Sequence, residues 1–259
     1  MTDGRTFLQF GKIKENNKIT YDERYDQEAY DFFMFSRYMK DIMAYQTNQL
    51  DLIHHNTDVI DNLKKYAGLS VCKNFDGQSI FFEVGSSLMG VIDSLEYFNK
   101  KFKELDLKKI FFLGIDNSKL MNFGAKMLHK EYRIALFEKK ENIHCDVYFA
   151  KGVSLLYVYN DEKEFCETLK NSRLAIFDYT FSLSEKDEEI IENGKKVTFL
   201  SLQKCKEILE FEGKSFILTE SKRKHRTREG KKTYECIYGD SDIVEKYQNH
   251  LKLLESKYN

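Results

Sequence analysis

The sequence predicts a doubly wound α/β fold: a mostly parallel seven-stranded sheet with helices on both faces, a terminal antiparallel hairpin, and an N-terminal helical cap. Three observations carry this. Helical periodicity dominates the first seventy or so residues; after Gly77 short β-rich runs alternate with helical segments; and near the C-terminus two strand-like runs follow each other with no helix between them. Alternating strand and helix calls for a parallel sheet covered on both faces. Two runs joined by a loop alone are most simply antiparallel, because a parallel crossover needs a dozen or more residues.

After a short strand-like run at 7–13, apolar residues recur at helical spacing (Tyr30, Phe33, Met34, Tyr38, Ile42, Tyr45, then Leu50, Ile53, Val59, Ile60, Leu63), which predicts two or three helices and a cap over residues 1–74. Turn residues at 73–78 precede the change of pattern, and a second unit over 75–259 follows. Strands are expected at 79–84, 109–115, 133–137, 146–149 and 174–177, with helices at about 90–105, 118–130 and 162–170 between them. A helix near 202–211 ends at Gly213. The runs 215–219 and 233–238 form the hairpin, and a helix from about 241 to 258 closes the chain.

The 259 residues carry 41 Lys and Arg against 42 Asp and Glu, a net charge of −1, and 42% of them are hydrophobic. That is enough apolar material for a core and excludes a disordered chain. Near-neutrality argues against whole-protein binding to nucleic acid or to anionic lipid. No apolar run approaches the roughly 18 residues of a membrane helix, and residues 1–5 carry no export leader, so a cytoplasmic location is expected. Five widely spaced cysteines without a CxxC signal neither a disulfide framework nor a zinc site and are expected to be reduced and buried. No metal is expected.

Ligands of open α/β sheets collect beyond the carboxyl ends of the strands, where the strand order reverses. After the first strand of the second unit comes Glu83-Val84-Gly85-Ser86-Ser87-Leu88-Met89-Gly90. Its small residues suit either a tight cofactor turn, with free N–H groups at the next helix, or a plain strand-to-helix turn. It is not the dinucleotide GxGxxG. After the second strand, Gly114-Ile115-Asp116-Asn117-Ser118 puts a carboxylate at the sheet edge, where it would bind a ribose diol, cap the next helix, or do both.

These segments, together with residues 145–157 and Arg173-Leu174-Ala175-Ile176-Phe177-Asp178-Tyr179, resemble the ordered motifs of class I S-adenosylmethionine-dependent methyltransferases. The nearest flavour is the sugar O-methyltransferases of bacterial capsule and surface-polysaccharide clusters. The resemblance spans about residues 78–240 and implies a Rossmann-like domain whose terminal antiparallel hairpin sets it apart from other doubly wound sheets. Where that family has Gly-x-Gly-x-Gly, this chain has Gly85-Ser86-Ser87-Leu88-Met89. Position by position, the resemblance implies that Glu83 and Gly85, Ser86 and Ser87 hold the methionine end of the cofactor. Asp116 would take the ribose hydroxyls with Asn117 beside it, Ala150 and Lys151 would offer backbone groups near the sulfonium, and residues 140–142 would meet the adenine.

With a methyl group already activated on a sulfonium, alignment of the acceptor does most of the work and an obvious base is not required. Asp178 and Tyr179, at the carboxyl end of the fifth strand, are the better candidates to meet an acceptor; the alternative is that they orient the next loop. His54 and His55 would serve as base if the cap folds over the cofactor, and otherwise sit on a solvated helix. His129 and His144 should lie at the bottom of the sheet in structural roles. Tyr21 and Tyr25, in Tyr21-Asp22-Glu23-Arg24-Tyr25, would close over a cation if they are not simple core.

The segment 221–232 holds seven Lys and Arg and one Glu. It joins the last two strands on the expected cofactor side, so Lys222, Arg223, Arg226 and Arg228 would attract an anionic acceptor such as a phosphorylated or nucleotide sugar; the plain alternative is a solvated hairpin tip. Nucleic acid is disfavoured because no aromatic platform accompanies the charge. A homo-oligomer is left open. Two other readings compete: a nicotinamide-dependent sugar oxidoreductase, to which Tyr97-x-x-x-Lys101 and Tyr159-x-x-x-Lys163 bear a superficial likeness, and a cofactor-binding domain of the same fold without catalysis.

Overall fold

The computed structural model describes residues 12–15, 18–21, 27–53, 56–74, 77–84, 88–115, 119–137, 144–151, 162–192, 195–221 and 231–258. A small antiparallel hairpin, β1 (Lys12–Glu15) and β2 (Lys18–Tyr21), comes first. It lies just past the strand expected at 7–13, most of which is outside the described residues. Two helices follow, α1 (Gln27–Thr47) and α2 (Asn56–Cys72). The alternating region is β3 (Ser79–Val84), α3 (Leu88–Phe102), β4 (Ile110–Ile115), α4 (Lys119–Leu128), β5 (Arg133–Phe137), β6 (Cys145–Ala150), α5 (Glu162–Lys170) and β7 (Ser172–Ser182). Then come a second hairpin, β8 (Glu188–Glu192) and β9 (Lys195–Phe199), the short helix α6 (Leu202–Leu209), β10 (Lys214–Glu220), β11 (Lys231–Asp240) and α7 (Ser241–Tyr258).

The main sheet has seven strands in the order β10-β11-β7-β6-β3-β4-β5. The strands from β3 to β7 pair in parallel, and β11 alone runs against its neighbours, pairing antiparallel with both β7 and β10. This is the expected mostly parallel, Rossmann-like sheet with its terminal antiparallel hairpin.

Two features go beyond the expectation. The fifth strand does not stop at Phe177 but runs on to Ser182, because β11 pairs with it as far as Lys231↔Ser182. The β8–β9 hairpin, placed in register by Ile190↔Val197 and Glu192↔Lys195, then leads into α6. Ser201 caps that helix, its Oγ accepting from Lys204 N at 3.2 Å.

Period-two alternation divides the core between the two faces of the sheet. On one face Phe81, Phe112, Val147, Phe149, Leu174 and Ile176 pack against α1, α2, α3 and α7, and Ile42, Tyr45, Leu63 and Tyr66 of the N-terminal helices belong to the same buried cluster. On the other, Phe82, Tyr148, Phe177 and Tyr179 pack against Phe165 of α5 and Cys205 and Leu209 of α6. Helix α2 lies so near the sheet that a Cβ at Gly68 would stand 3.3 Å from Leu174 and 3.4 Å from Val147. At the lower edge a Cβ at Gly239 would lie 2.1 Å from the Arg173 carbonyl oxygen, so glycine is the residue that lets β11 meet β7 there. The five cysteines are all buried thiols, as expected. Among the described residues, no helix is long and apolar enough to cross a membrane.

Candidate functional site

The order of strands reverses between β3 and β6: from β3 the chain winds outward to β4 and β5, and from β6 it winds the other way to β7. A cleft opens at that point. Its walls are Arg37 and Asp41 of α1 and Asp58 and Asp61 of α2; its floor holds Lys65, Glu83, Phe149, Lys151 and the start of α3 at Gly90 and Val91. This is where an open α/β sheet binds ligands.

The charged floor follows from strand register. On the α2 side of the sheet, one row of cross-strand neighbours reads Ile237, Ile176, Phe149, Glu83 and Gly114. Glu83 therefore puts a carboxylate into an otherwise apolar row. Lys65 reaches down from α2 to meet it, Nζ donating to Oε1 at 2.6 Å, with the side chains 7% and 2% exposed. The same ammonium stands 4.6 Å from the centre of the Phe149 ring, a favourable placement for a cation.

One row higher the sheet turns fully charged, with Glu235 opposite Asp178 and Lys151 just past the end of β6. Lys151 Nζ donates to Asp178 Oδ1 at 3.0 Å and to Glu235 Oε2, and lies 3.6 Å from Asp61 Oδ1. Lys64 of α2 donates to both carboxylate oxygens of Glu235, at 2.9 and 2.7 Å. Burial alone would lower the pKa of Lys151, but Asp61, Asp178 and Glu235 together outweigh it and hold the amine above its ordinary value. Burial likewise pushes Glu235 up, and the charges of Lys151 and Lys64 and their hydrogen bonds outweigh that and keep its carboxyl below the usual range. At neutral pH Lys151 is thus a cation and a donor, not a base.

The sequence-derived candidates divide into three groups. Glu83, Lys151 and Asp178 meet around this cleft, with Asp178 reaching it through Lys151. Ala150 ends β6 with its side chain buried on the opposite face. Tyr179 is corrected: alternation turns it away from the cleft, and it lies 2% exposed between Phe165 and Phe181, its hydroxyl accepting from Leu200 N at 3.2 Å. Burial raises its pKa far above that of an ordinary phenol, so it is a core residue and does not meet an acceptor. His54, His55, Gly85, Ser86, Ser87, Asp116, Asn117, Tyr25, Lys222, Arg223, Arg226, Arg228 and residues 140–142 lie outside the described residues. Tyr21 pairs with Lys12 in the first hairpin.

His129 is where the sequence put it, near the end of α4, where Nε2 stands 2.9 Å from Asp93 Oδ2; His144 is exposed. The pair behind the oxidoreductase reading does not assemble in the cleft. Tyr97 and Lys101 lie in the second half of α3, the tyrosine against Tyr45 and the lysine donating to the Tyr258 carbonyl oxygen, while Lys163 is on the exposed surface of α5 beside Glu167 and Tyr159 is outside the described residues.

Sequence reasoning missed Asp61, Lys64, Lys65 and Glu235. Periodicity picked out only the apolar positions of α2, yet Lys65 lies four residues from Asp61 on the buried side of the helix. Glu235 was detectable: in Thr233–Tyr238 it alternates with the apolar Ile237 on one face.

No family model matches the chain, and no curated protein matches it by sequence. Among solved structures it is similar to a 1,6-didemethyltoxoflavin-N1-methyltransferase from Burkholderia thailandensis with bound 1,6-didemethyltoxoflavin and S-adenosylhomocysteine, at a TM-score of 0.40 and 9% identity over 80% of this chain and 89% of that one. It is similar to a SAM-dependent methyltransferase from Leishmania major at 0.39 and 14%, over 83% and 93%. It is also similar to a structure described as Zn-dependent alcohol dehydrogenases from Rhodobacter sphaeroides, at 0.35 and 10% over 67% and 89%. Likenesses this distant decide nothing about chemistry; the fold stands on its own strand order.

Proposed function

We propose that the chain is an S-adenosylmethionine-dependent O-methyltransferase acting on a small sugar-like acceptor. The observation that carries the proposal is the cleft at the strand-order reversal, floored by Glu83 at the end of β3, the residue the sequence resemblance assigns to the methionine end of the cofactor. The single reversed strand, β11, set between β7 and β10, agrees with the hairpin that resemblance implies.

The residues in the cleft fit such a group. A buried carboxylate, an ammonium and an aromatic face within one pocket can take the charged end and the sulfonium of the donor. When bound, the donor supplies an activated methyl group. The protein's part is to hold both partners in line and exclude water, which is worth roughly 7–11 kcal/mol in favourable systems. Asp178, held at 3.0 Å by Lys151, acts on the acceptor through that lysine, whose fixed charge offers a donor to an acceptor oxygen.

The finer reading is an acceptor with an anionic group, such as a phosphorylated or nucleotide sugar of capsule or surface-polysaccharide biosynthesis, in the cytoplasm. It is supported by the seven Lys and Arg in residues 221–232. The base of that hairpin is closed by Ser221 N donating to the Thr233 oxygen at 2.9 Å. There Thr233 pairs with Thr180, three residues past Phe177, which pairs with Ala150, so this base stands roughly 10 Å beyond the end of β6. In this reading residues 1–74 form the helical wall of the acceptor site and 75–259 the cofactor domain.

Calorimetry with S-adenosylmethionine, S-adenosylhomocysteine and NAD tests the proposal. Both adenosyl compounds should bind and NAD should not, and methyl transfer should follow with a panel of sugars and sugar phosphates. Binding of NAD alone would overturn it. Donor binding without transfer to any acceptor would leave a cofactor-binding domain without catalysis.

A further inference from the structure

The helical wall of the cleft carries polar side chains that the proposed reaction leaves unused: Arg37 and Tyr45 from α1, Asp58 and Asn62 from α2. They meet across the two helices with much of their hydrogen-bonding capacity to spare. Arg37 Nη2 donates to Asp58 Oδ2 at 3.3 Å, longer than the roughly 2.7–2.9 Å of a well-made charged hydrogen bond. Its Nε is shielded from solvent and finds no acceptor among the described residues. Asn62 Nδ2 donates to the Tyr45 hydroxyl oxygen at 2.9 Å. Burial raises the pKa of that hydroxyl, so it keeps its proton, and it donates to nothing among the described residues.

The surrounding charges select the chemistry that could complete this wall. A simple anion taking Arg37 would lie among Asp41, Asp58 and Asp61; a simple cation taking Asp58 would leave the guanidinium unmatched. A hydroxyl donates and accepts at once, so it satisfies a guanidinium and a carboxylate together and adds no charge. Asp58 and Asn62 stand one helical turn apart, roughly 6 Å along α2, a span that one six-membered ring with its hydroxyls covers.

We propose that Arg37, Tyr45, Asp58 and Asn62 form a subsite for the hydroxyls of a neutral, sugar-like ring. One hydroxyl inserts between Arg37 and Asp58, accepting from the guanidinium and donating to the carboxylate. Another accepts from Tyr45 and donates to the Asn62 side-chain oxygen. As the guanidinium turns to the ring it gives up one long contact, and its Nε gains an acceptor. The subsite rests on the proposed reading of the cleft as the place where donor and acceptor meet; it belongs to the acceptor, and it reads hydroxyls rather than charge.

Calorimetry on the full chain tests it, first with S-adenosylhomocysteine and then, with that compound saturating, with D-glucose, D-galactose, D-mannose, myo-inositol and inorganic phosphate. At least one neutral ring should bind, and phosphate should not compete with it. Arg37→Lys keeps the charge but loses the planar fork, and Asp58→Asn keeps the shape but loses the charge. Each should weaken the ring about tenfold or more and leave S-adenosylhomocysteine unchanged. Arg37 and Asp58 are 24% and 29% exposed, so both variants should fold. Tyr45→Phe, which removes a single oxygen, should weaken the ring severalfold and carries the same test if either does not. If a ring binds in an Arg37-dependent way while S-adenosylhomocysteine does not bind, the subsite stands and the donor reading falls. If S-adenosylhomocysteine binds but no ring does, or the ring binds all variants alike, the donor reading stands and the subsite falls. Phosphate that displaces the ring overturns the neutral assignment, and weaker S-adenosylhomocysteine binding by Arg37→Lys overturns the assignment to the acceptor. Binding of none of the compounds overturns both readings.

Discussion

Two groups of charges lie one row apart at the top of the same sheet face, and they are built differently. Lys65 and Glu83 form a single pair set in an otherwise apolar row of the sheet, 7% and 2% exposed. Asp61, Lys64, Lys151, Asp178 and Glu235 form a web in which each lysine meets two or more carboxylates. The pair joins one helix position to one strand end, whereas the web ties α2 to the ends of β6, β7 and β11 through shared lysines. The web thereby holds α2 against the ends of β6, β7 and β11.

Breaking the web should have the largest effect. Lys151→Met takes the ammonium away from Asp178 and removes one of the two that Asp61 and Glu235 meet, and removing one partner from a buried ionic group typically costs about 3–5 kcal/mol. Urea denaturation should register that loss as a lower midpoint with an unchanged slope. Replacing the lower pair whole, with Lys65→Met/Glu83→Leu, should instead leave stability equal or raised by up to about 4 kcal/mol, since apolar residues then fill an apolar row. If both variants lose stability alike, the distinction between pair and web is wrong.

An intermediate effect away from both groups calibrates them. Gly239→Ala must push the Arg173 carbonyl aside and should cost about 1–3 kcal/mol in the same assay.

Acidity sharpens the contrast further. The Glu235 carboxyl is held below its ordinary value in the folded state, so its stabilisation is complete above the unfolded pKa of about 4.3 and fades as pH falls through the lower folded value. Wild type and Glu235→Gln should therefore differ most near neutrality and converge in acid; a gap that stays constant from pH 7 to pH 3 would contradict the arrangement. Lys151 runs the other way: its raised value keeps its contribution intact until pH climbs past about 10.5. At the small end, the 85% exposed Lys163 and its 4.0 Å contact with Glu167 should be replaceable by alanine without measurable change in melting temperature.

Much of the fold was legible because alternation of strand and helix leaves few topologies open. All seven sheet strands lie where the apolar runs are, and the hairpin followed from the missing crossover between 219 and 233. The β8–β9 hairpin was missed although Asn193-Gly194, a strong two-residue turn signal, stands between its strands in the sequence. Glu83, Lys151 and Asp178 lie at or beside the cleft, as expected of residues at strand ends, which can be read from sequence. Tyr179 went astray by one step of alternation, since neighbours on a strand face opposite ways. Lys64 and Lys65 were invisible for a different reason: a lysine on a helix looks solvated until something shows that a carboxylate awaits it beneath.

The reversed strand also governs how the molecule can be made. β11 fills the gap between β7 and β10, so β7 keeps a bare hydrogen-bonding edge until residues 231–240 have left the ribosome. The nascent protein must therefore shield that edge while residues 183–230 are made, and a chain cut short before β11 would keep a permanently adhesive flank.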